Sequence, residues 1–390
     1  MIKNSIIWLI GVGMALMSGL TALGSIAKNK APTLAVTLHP LNGFAAENLA
    51  SASIKTSIAV NSGQFPDHID PTVTKLALKA FIAEPVTPAA VAVLALAEAQ
   101  QSKQKLMSEA FLLSRRQPLV SAWMIADSGA RQDVPALLNH YDTMLRTSTS
   151  AATIIIPFMA NALANDSFVR PFANLLAKLP SWAPQFWGTV VETPGALVNA
   201  ARLREILYQP NENDAVYRDD RLIQALVSNQ QFETAEALFH LLAEQKEDNS
   251  LLKNSSFETE PEYSPIDWQL FSTGEYGAVV ADGKLELSAI RNSGGLFARQ
   301  LVNLPPRIVT LDIKSQDSIS DNARVTVGLQ CAEISNNAPQ RIRISLKNKT
   351  TSSKIDNSRS GCSFYWFDIN GRASENGEGF DIVIDSISLR

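Results

Sequence analysis

The sequence is poor in the residues that metal and nucleophilic sites require. Its 390 residues include two cysteines and four histidines. No histidine belongs to an HExxH pattern, and no Cys/His grouping has the spacing of metal ligands. A P-loop, a GxSxG elbow and a GxGxxG turn are also absent from the sequence. The sequence therefore predicts no catalytic residue and no cofactor.

Charge is scarce as well. Charged residues make up 18% of the chain, apolar residues 46%, and the net charge is -4. Long runs of one sign are missing, whereas a nucleic-acid-binding surface needs a basic stripe. This composition indicates a globular chain that is long enough for two ordinary domains, and it predicts no nucleic-acid partner.

One long uncharged segment, Ser5 to Ala27, lies near the N-terminus. As a helix of about 23 residues it would be about 34 Å long, enough to cross a hydrocarbon core of about 30 Å. We predict that residues 1–30 are a membrane anchor and that the rest of the chain is exported. A cleaved signal peptide, with Ala22 to Gly24 as the small-residue site, is the alternative.

Both cysteines, Cys331 and Cys362, lie in the second half of the chain. Export to an oxidising compartment permits them to pair. About 30 residues separate them, and closing such a loop would stabilise the domain by about 3–4 kcal/mol in the chain-entropy model. We predict a disulfide between them.

From about Thr33 to Glu247 the apolar residues recur at helical spacing. The predicted helical pairs, roughly 30–35 residues apart, start near Pro88, Pro118, Ala151, Pro184 and Asp219. This is the period of tetratricopeptide-type repeats, whose helix–turn–helix units stack to bury a continuous core. We predict a TPR-like helical repeat domain over residues 31–248, with a groove for a protein partner.

After Asn249 the helical period stops, and short alternating apolar runs such as YGAVVA, RIVTLDIKS and SFYWFDI follow. Eight or nine such strands over about 135 residues predict a jelly-roll β-sandwich over residues 249–390. We interpret the stretch LLKNSSFETEPEYSPIDWQLF, Leu251 to Phe271, as its entry strand rather than as a linker. The predicted fold class is multidomain, α followed by β.

The NSSFE run with the following Trp268, and the closing strand Gly379 to Leu389, resemble galactose-binding-like jelly rolls of carbohydrate-binding modules. The whole chain resembles exported repeat-plus-sandwich proteins of Gram-negative bacteria, in its N-terminal segment, its LSRR…AWMIADSG and LLNHYDTMLR segments and its last helical pair. Those proteins are associated with exopolysaccharide or capsule production. The resemblance implies a single-pass inner-membrane protein with periplasmic domains, and it implies no activity.

Four aromatic residues of the predicted sandwich are candidates for stacking on a sugar: Trp268, Tyr276, Tyr365 and Trp366. Neighbours in a strand point to opposite faces, so either Tyr365 or Trp366 belongs to the core. In the resembled sandwiches, carboxylates at the positions of Glu258 and Asp385 often hold a structural calcium ion, which prefers oxygen ligands. Exposed carboxylates without an ion are the alternative.

The run Asn139, His140, Tyr141 contains the residue types of some polysaccharide lyases, but consecutive helical residues point about 100° apart and cannot converge on one substrate. We therefore predict a non-enzymatic envelope scaffold that assists the assembly or export of a surface polysaccharide. The helical repeats would bind a protein, and the sandwich would bind glycan or dock onto a partner. A lyase or hydrolase acting on the polysaccharide, and a tether without any ligand, are the alternatives.

Overall fold

The computed structural model describes residues 2–209, 216–243, 250–319, 323–333, 341–358, 361–375 and 377–390, without the side chains of residues 2–10 and 341. The α-helices in the described residues are α1 (Ile2–Ala27), α2 (Pro32–Leu38), α3 (Gly43–Val60), α4 (Pro71–Ala83), α5 (Pro88–Leu96), α6 (Gln100–Leu113), α7 (Pro118–Ala130), α8 (Val134–Thr147), α9 (Ala152–Ala162), α10 (Val169–Leu176), α11 (Ala183–Val190), α12 (Leu197–Leu207), α13 (Asp219–Ser228) and α14 (Phe232–Leu242). A helical first half is therefore confirmed.

Helix starts follow the local signals in the sequence. The five predicted pair starts lie within one residue of the first residues of α5, α7, α9, α11 and α13. Pro71 opens α4 behind Asp70, whose side chain accepts a hydrogen bond from the Thr72 amide at 2.7 Å. Such an N-cap satisfies one of the amides that the first helical turn leaves without a partner. Proline is tolerated in that turn because its missing N–H is not needed there.

The pairing of helices is regular only in part. The pairs α3 with α4, α5 with α6 and α7 with α8 pack as successive neighbours, and so do α13 and α14. Between them α10 packs on α12 instead of on a sequence neighbour. The helical hairpins are therefore established, whereas the tetratricopeptide identity of the repeats stays a prediction.

The N-terminal helix α1 is apolar, and most of its described side chains are exposed. Within the residues whose side chains the structure describes, no single helix is long and apolar enough to cross a membrane. Gly11–Ala27 is a shorter apolar helix, and the bent pair Thr149–Ala162 and Asp166–Leu176 reaches the required length only in combination.

The chain forms two compact units. The first contains Met1–Ile155 and Pro180–Trp182, and the second contains Ile156–Leu179 and Ala183–Arg390. The second unit therefore includes the last helices together with all the strands. The domain boundary predicted at residues 248 and 249 lies outside the described residues.

In the first unit, a buried carboxylate joins α3 to α5. Glu47 is only 6% exposed, and its Oε1 accepts a hydrogen bond from the Ala89 amide at 2.7 Å, in the first turn of α5. Burial raises the pKa of Glu47, although the amides of Ala89 and Ala90 favour its ionised form. Helix α5 is apolar on nearly every side, so α3 supplies the polar partner that its buried N-terminus requires.

The strands form two antiparallel five-stranded sheets, which confirms the β-sandwich. Sheet A has the order β1-β4-β9-β6-β7, and sheet B has the order β2-β3-β10-β5-β8. Their bounds are β1 (Gln269–Leu270), β2 (Tyr276–Ala281), β3 (Lys284–Ala289), β4 (Gly294–Asn303), β5 (Ile308–Ser315), β6 (Ala323–Cys331), β7 (Arg341–Leu346), β8 (Thr350–Asp356), β9 (Phe364–Ala373) and β10 (Phe380–Leu389). Side chains from both sheets form one core.

The stretch from Leu251 to Phe271 belongs to the sandwich, but the prediction that it is an entry strand is wrong for most of its length. It forms turns, and only Gln269–Leu270 pairs as a strand, with β4. It is nevertheless packed into the sandwich, because Leu252 and Phe257 are fully buried in the core. The Leu251 amide also donates to the carbonyl of Leu389 at 2.7 Å.

The predicted disulfide is confirmed. Cys331 at the end of β6 and Cys362 before β9 are bonded, with their Cα atoms 6.1 Å apart and a separation of 31 positions in sequence. This separation lies inside the usual range of about 4.4–6.8 Å. The bond closes the connection that contains β7 and β8.

Candidate functional site

Sheet A has one face in the core and one face directed outward. Along β9, the inward Tyr365 and Phe367 are at most 1% exposed, whereas the outward Trp366 is partly exposed. Helix α14 covers one end of the outward face, where the ring of Phe232 lies 5.2 Å from that of Phe364. We call the remaining outward surface the open face of sheet A, and it includes Gln269, Leu296, Arg299, Leu301, Arg324, Thr326, Gly328, Gln330, Arg343, Ser345, Trp366, Asp368, Asn370 and Arg372.

Three side chains form the centre of the open face. Arg299 donates from Nε and Nη2 to the two carboxylate oxygens of Asp368, at 2.7 and 3.1 Å. Its guanidinium carbon lies 4.8 Å from the ring centroid of Trp366. The Asp368 side chain is 8% exposed and that of Arg299 is 31% exposed. The paired hydrogen bonds and the cation–π contact fix the indole in place before any ligand arrives.

Amide side chains flank this centre on both sides. Gln330 on β6 is directly opposite Trp366, and Gln269 on β1 is directly opposite Arg299. Both glutamines are partly exposed. A primary amide both donates and accepts hydrogen bonds, which suits a ligand rich in hydroxyl groups.

A glycine keeps the floor of the open face low. Gly328 on β6 is directly opposite Asp368, and a Cβ at this position would contact only the Ile342 carbonyl oxygen, at 3.7 Å. Next along the strands, Asn370 lies opposite Thr326. An aromatic surface beside a flat floor and hydrogen-bonding groups fits a sugar ring, because such a ring has apolar C–H faces and a polar edge.

Two of the four predicted stacking residues are buried in the core. Trp268 and Tyr365 are each 1% exposed, so neither ring can reach a ligand, and both were wrongly predicted. Trp268 packs against Phe257, and the Tyr365 hydroxyl is hydrogen-bonded to Asn357 Oδ1 at 2.7 Å. Tyr365 belongs to the core because the pleat of β9 directs it inward, and Trp268 packs into the same core from the segment just before β1.

Tyr276 and Trp366 have different surroundings. Tyr276 is partly buried against the core, with its ring 5.1 Å from that of Phe297. It lies on β2 of sheet B and does not reach the open face. Trp366 is therefore the one predicted aromatic that the described structure places on this surface, and its role in binding stays a prediction.

The two predicted calcium ligands are not brought into a metal-binding group. Asp385 Oδ1 lies 3.9 Å from Lys284 Nζ, and Glu258 is exposed. In the described part of the chain, the one group of three candidate ligands is Cys331, Glu333 and Cys362, and its sulfurs are consumed by the disulfide. The calcium site at Glu258 and Asp385 stays a prediction.

A groove of about 520 Å³ lies between α12 and α14 in the second unit. Its lining includes Arg202, Glu205, Glu233 and His240 beside apolar side chains. Burial lowers the pKa of His240, Lys253 lowers it further, and Glu236 at 3.9 Å opposes both effects. The groove is a candidate for the predicted protein partner.

The first unit has a groove of similar volume and contains the predicted Asn-His-Tyr run. Phe65, Trp123 and Asp127 are among the residues that line the groove. His140 lies on α8 with its ring 5.2 Å from that of Phe111, and burial lowers its pKa. Asn139 is exposed on a different side of the same helix, as the helical spacing predicts.

A buried carboxylate in the loop before β1 should make the second unit sensitive to pH. Asp267 is 7% exposed, and burial raises its pKa to about 6, although the Trp268 and Glu262 amides favour its ionised form. The folded state then holds a proton that the unfolded chain releases near pH 3.9, so stability falls as the pH rises from about 4 to 6. Over this interval the wild type should lose roughly 3 kcal/mol of its free energy of unfolding because of Asp267. We expect Asp267→Asn to lack this pH-dependent loss.

Urea unfolding of both proteins at several pH values between 4 and 7 measures the effect. Asp381→Asn, at an exposed carboxylate on β10, is the matched control and should follow the wild type. Parallel curves for the wild type and Asp267→Asn would contradict the prediction.

The chain matches no family model and no curated protein. Its structure is similar to TmCBM61 in complex with β-1,4-galactotriose, at 15% identity over 37% of this chain and 99% of that chain, with a TM-score of 0.25. It is similar to a CBM4 structure at 15% identity, over 36% of this chain and 99% of that one, with a TM-score of 0.24. It is also similar to a structure of accessory secretory protein 1, 2 and 3 of Streptococcus pneumoniae, at 15% identity over 32% of this chain and 97% of that one, with a TM-score of 0.24. At such TM-scores these likenesses carry no argument about function.

Proposed function

We propose that the protein is a non-catalytic glycan-binding protein and that the open face of sheet A is its binding surface. The observation that carries the proposal is the indole of Trp366, which Arg299 and Asp368 hold in a fixed orientation on a flat, polar surface. A ring fixed in this way loses little conformational freedom when a sugar packs against it. The side-chain amides of Gln269 and Gln330 then form hydrogen bonds with the hydroxyl groups of the sugar.

We further propose the wider role that the sequence predicts, in which the protein is exported and assists the assembly or export of a surface polysaccharide. In this role the helical hairpins bind a protein partner, and the groove between α12 and α14 is a suitable place for it. The disulfide between Cys331 and Cys362 supports export, because such bonds persist in oxidising compartments.

Loss of the Trp366 ring should weaken glycan binding without unfolding the sandwich. We expect Trp366→Ala to reduce affinity at least about tenfold, because burial of one aromatic side chain contributes about 1.5–3 kcal/mol. Trp366→Phe should retain part of the affinity. Calorimetric titration with oligosaccharides measures the effect, and circular dichroism verifies the fold.

Ile308→Ala is the matched control for this experiment, because Ile308 is an exposed apolar residue on β5 of sheet B. It should bind as the wild type does. Equal affinities for the wild type and Trp366→Ala would contradict the proposal that the open face binds glycan. A wild-type protein that shortens the oligosaccharide would instead favour the lyase or hydrolase alternative.

We propose in addition that the uncharged segment from Ser5 to Ala27 holds the exported protein at the inner membrane. If this segment is retained, the protein should stay in the membrane fraction after extraction with carbonate or high salt. Amino-terminal sequencing of the mature protein is the companion measurement. A mature chain that starts near Ser25 or Lys28 would show that the segment is a cleaved signal.

A further inference from the structure

We infer that the glycan bound by the open face of sheet A is acidic, with carboxylate or sulfate groups; this rests on the proposed function. This face has a surplus of positive charge. Its members include four arginines and one carboxylate, that of Asp368, which is already paired with Arg299. Three positive charges remain on a chain whose net charge is -4. Those three belong to Arg324, Arg343 and Arg372.

The outward face of sheet B shows that this charge is specific to sheet A. Its exposed and partly exposed charged side chains have both signs, with lysines and acids interspersed: Lys284, Lys314, Lys354, Glu286, Asp312, Asp356 and Asp381. A face of mixed charge is the usual solvated surface of a sheet. A face with a surplus of arginine attracts anions instead.

Two of the arginines are placed where they repel each other. Arg324 on β6 is directly opposite Arg372 on β9, and both side chains are exposed. Like charges at directly opposite positions destabilise a sheet. In the described residues, no ion pair involves Arg324, Arg343 or Arg372, and Arg372 contacts the neutral Asn292 at 3.4 Å. An anion between the two guanidinium groups would convert the repulsion into paired hydrogen bonds.

The arginine pair and the indole lie along one strand. Trp366 and Arg372 are six residues apart on the same face of β9, which is about 20 Å at 3.3 Å per residue. Between them lie Asp368 and Asn370, and Gly328 leaves room beside Arg343, which is directly opposite it on β7. A linear glycan with an acidic group along its length can contact the indole and the arginines together.

The chemistry favours an acidic glycan over a nucleic acid. Both are polyanions, but the disulfide indicates an oxidising compartment, where surface polysaccharides are found and nucleic acids are uncommon. The open face also offers one aromatic ring, whereas single-stranded nucleic acids are usually held by several rings that stack on successive bases.

The test compares two oligosaccharides of equal length and linkage, one of galacturonate and one of neutral galactose, on the full-length protein. The galacturonate oligosaccharide should bind at least about tenfold more tightly at low salt, because hydrogen bonds to charged groups are stronger than neutral ones. The preference should shrink as salt is added. Arg324→Gln/Arg372→Gln should lose most of this preference.

Lys314→Gln/Lys354→Gln on sheet B is the control, because it removes the same charge and should leave the preference unchanged. Equal binding of both oligosaccharides, or a preference that survives in the arginine variant, overturns the inference and leaves the proposed glycan binding intact. Binding of neither oligosaccharide overturns the proposed function as well. A single-stranded DNA of similar length that binds more tightly than the galacturonate oligosaccharide also overturns the inference.

Discussion

Replacing Asp219 with alanine should lower the free energy of unfolding of the second unit by about 3–5 kcal/mol. Arg204 on α12 is fully buried, and its Nε lies 3.0 Å from both carboxylate oxygens of Asp219 at the start of α13. The guanidinium carbon also lies 4.1 Å from the Tyr217 ring centroid. Without the carboxylate, a buried positive charge loses the negative charge that balances it. Urea unfolding followed by circular dichroism measures the change.

Asp220→Ala is the matched control, since Asp220 is an exposed acid in the same first turn of α13 and should cost no more than about 1 kcal/mol. The double variant Arg204→Met/Asp219→Leu removes both charges together and should recover much of the lost stability. If Asp219→Ala and Asp220→Ala unfold at the same urea concentration, the ion pair does not stabilise this unit.

Loss of the disulfide should be the next largest effect. We expect Cys331→Ser/Cys362→Ser to lower the free energy of unfolding by about 3–4 kcal/mol, because the bond restricts the unfolded chain over a loop of 31 residues. Urea unfolding with and without a reducing agent measures it. The reductant should destabilise the wild type and leave the double-serine variant unchanged. A wild type that is insensitive to full reduction would contradict the prediction.

Local signals explain why much of the fold is predictable from the sequence. A proline in the first turn behind a polar residue marks a helix start within a few residues, and this signal correctly located the starts of α5 and α7. Alternation of apolar and polar residues marks a strand in the same way, and the run RIVTLDIKS contains β5. The TTSSKID strand, β8, was missed because its outward and inward positions are nearly all polar.

The parts that were not predicted depend on contacts between distant segments. Which of Tyr365 and Trp366 faces the core is decided by the position of β9 between β4 and β6, and no local pattern contains that information. Arg324 and Arg372 are 48 residues apart in sequence, and only the register of β6 on β9 places them opposite each other. The charge of the open face is therefore a property of the sheet, and the almost neutral composition of the chain conceals it.

The contact between Phe232 and Phe364 bears on which segments of the chain could be recombined separately during evolution. Phe364 is 5% exposed on the outward face of sheet A, and Asn303 beside it donates to Glu236 of α14 at 3.0 Å. A sandwich separated from α13 and α14 would expose this aromatic ring on its surface, and an exposed apolar patch promotes association. We therefore expect the last helical pair and the sandwich to have been inherited and rearranged together, with recombination poorly tolerated between α14 and β1.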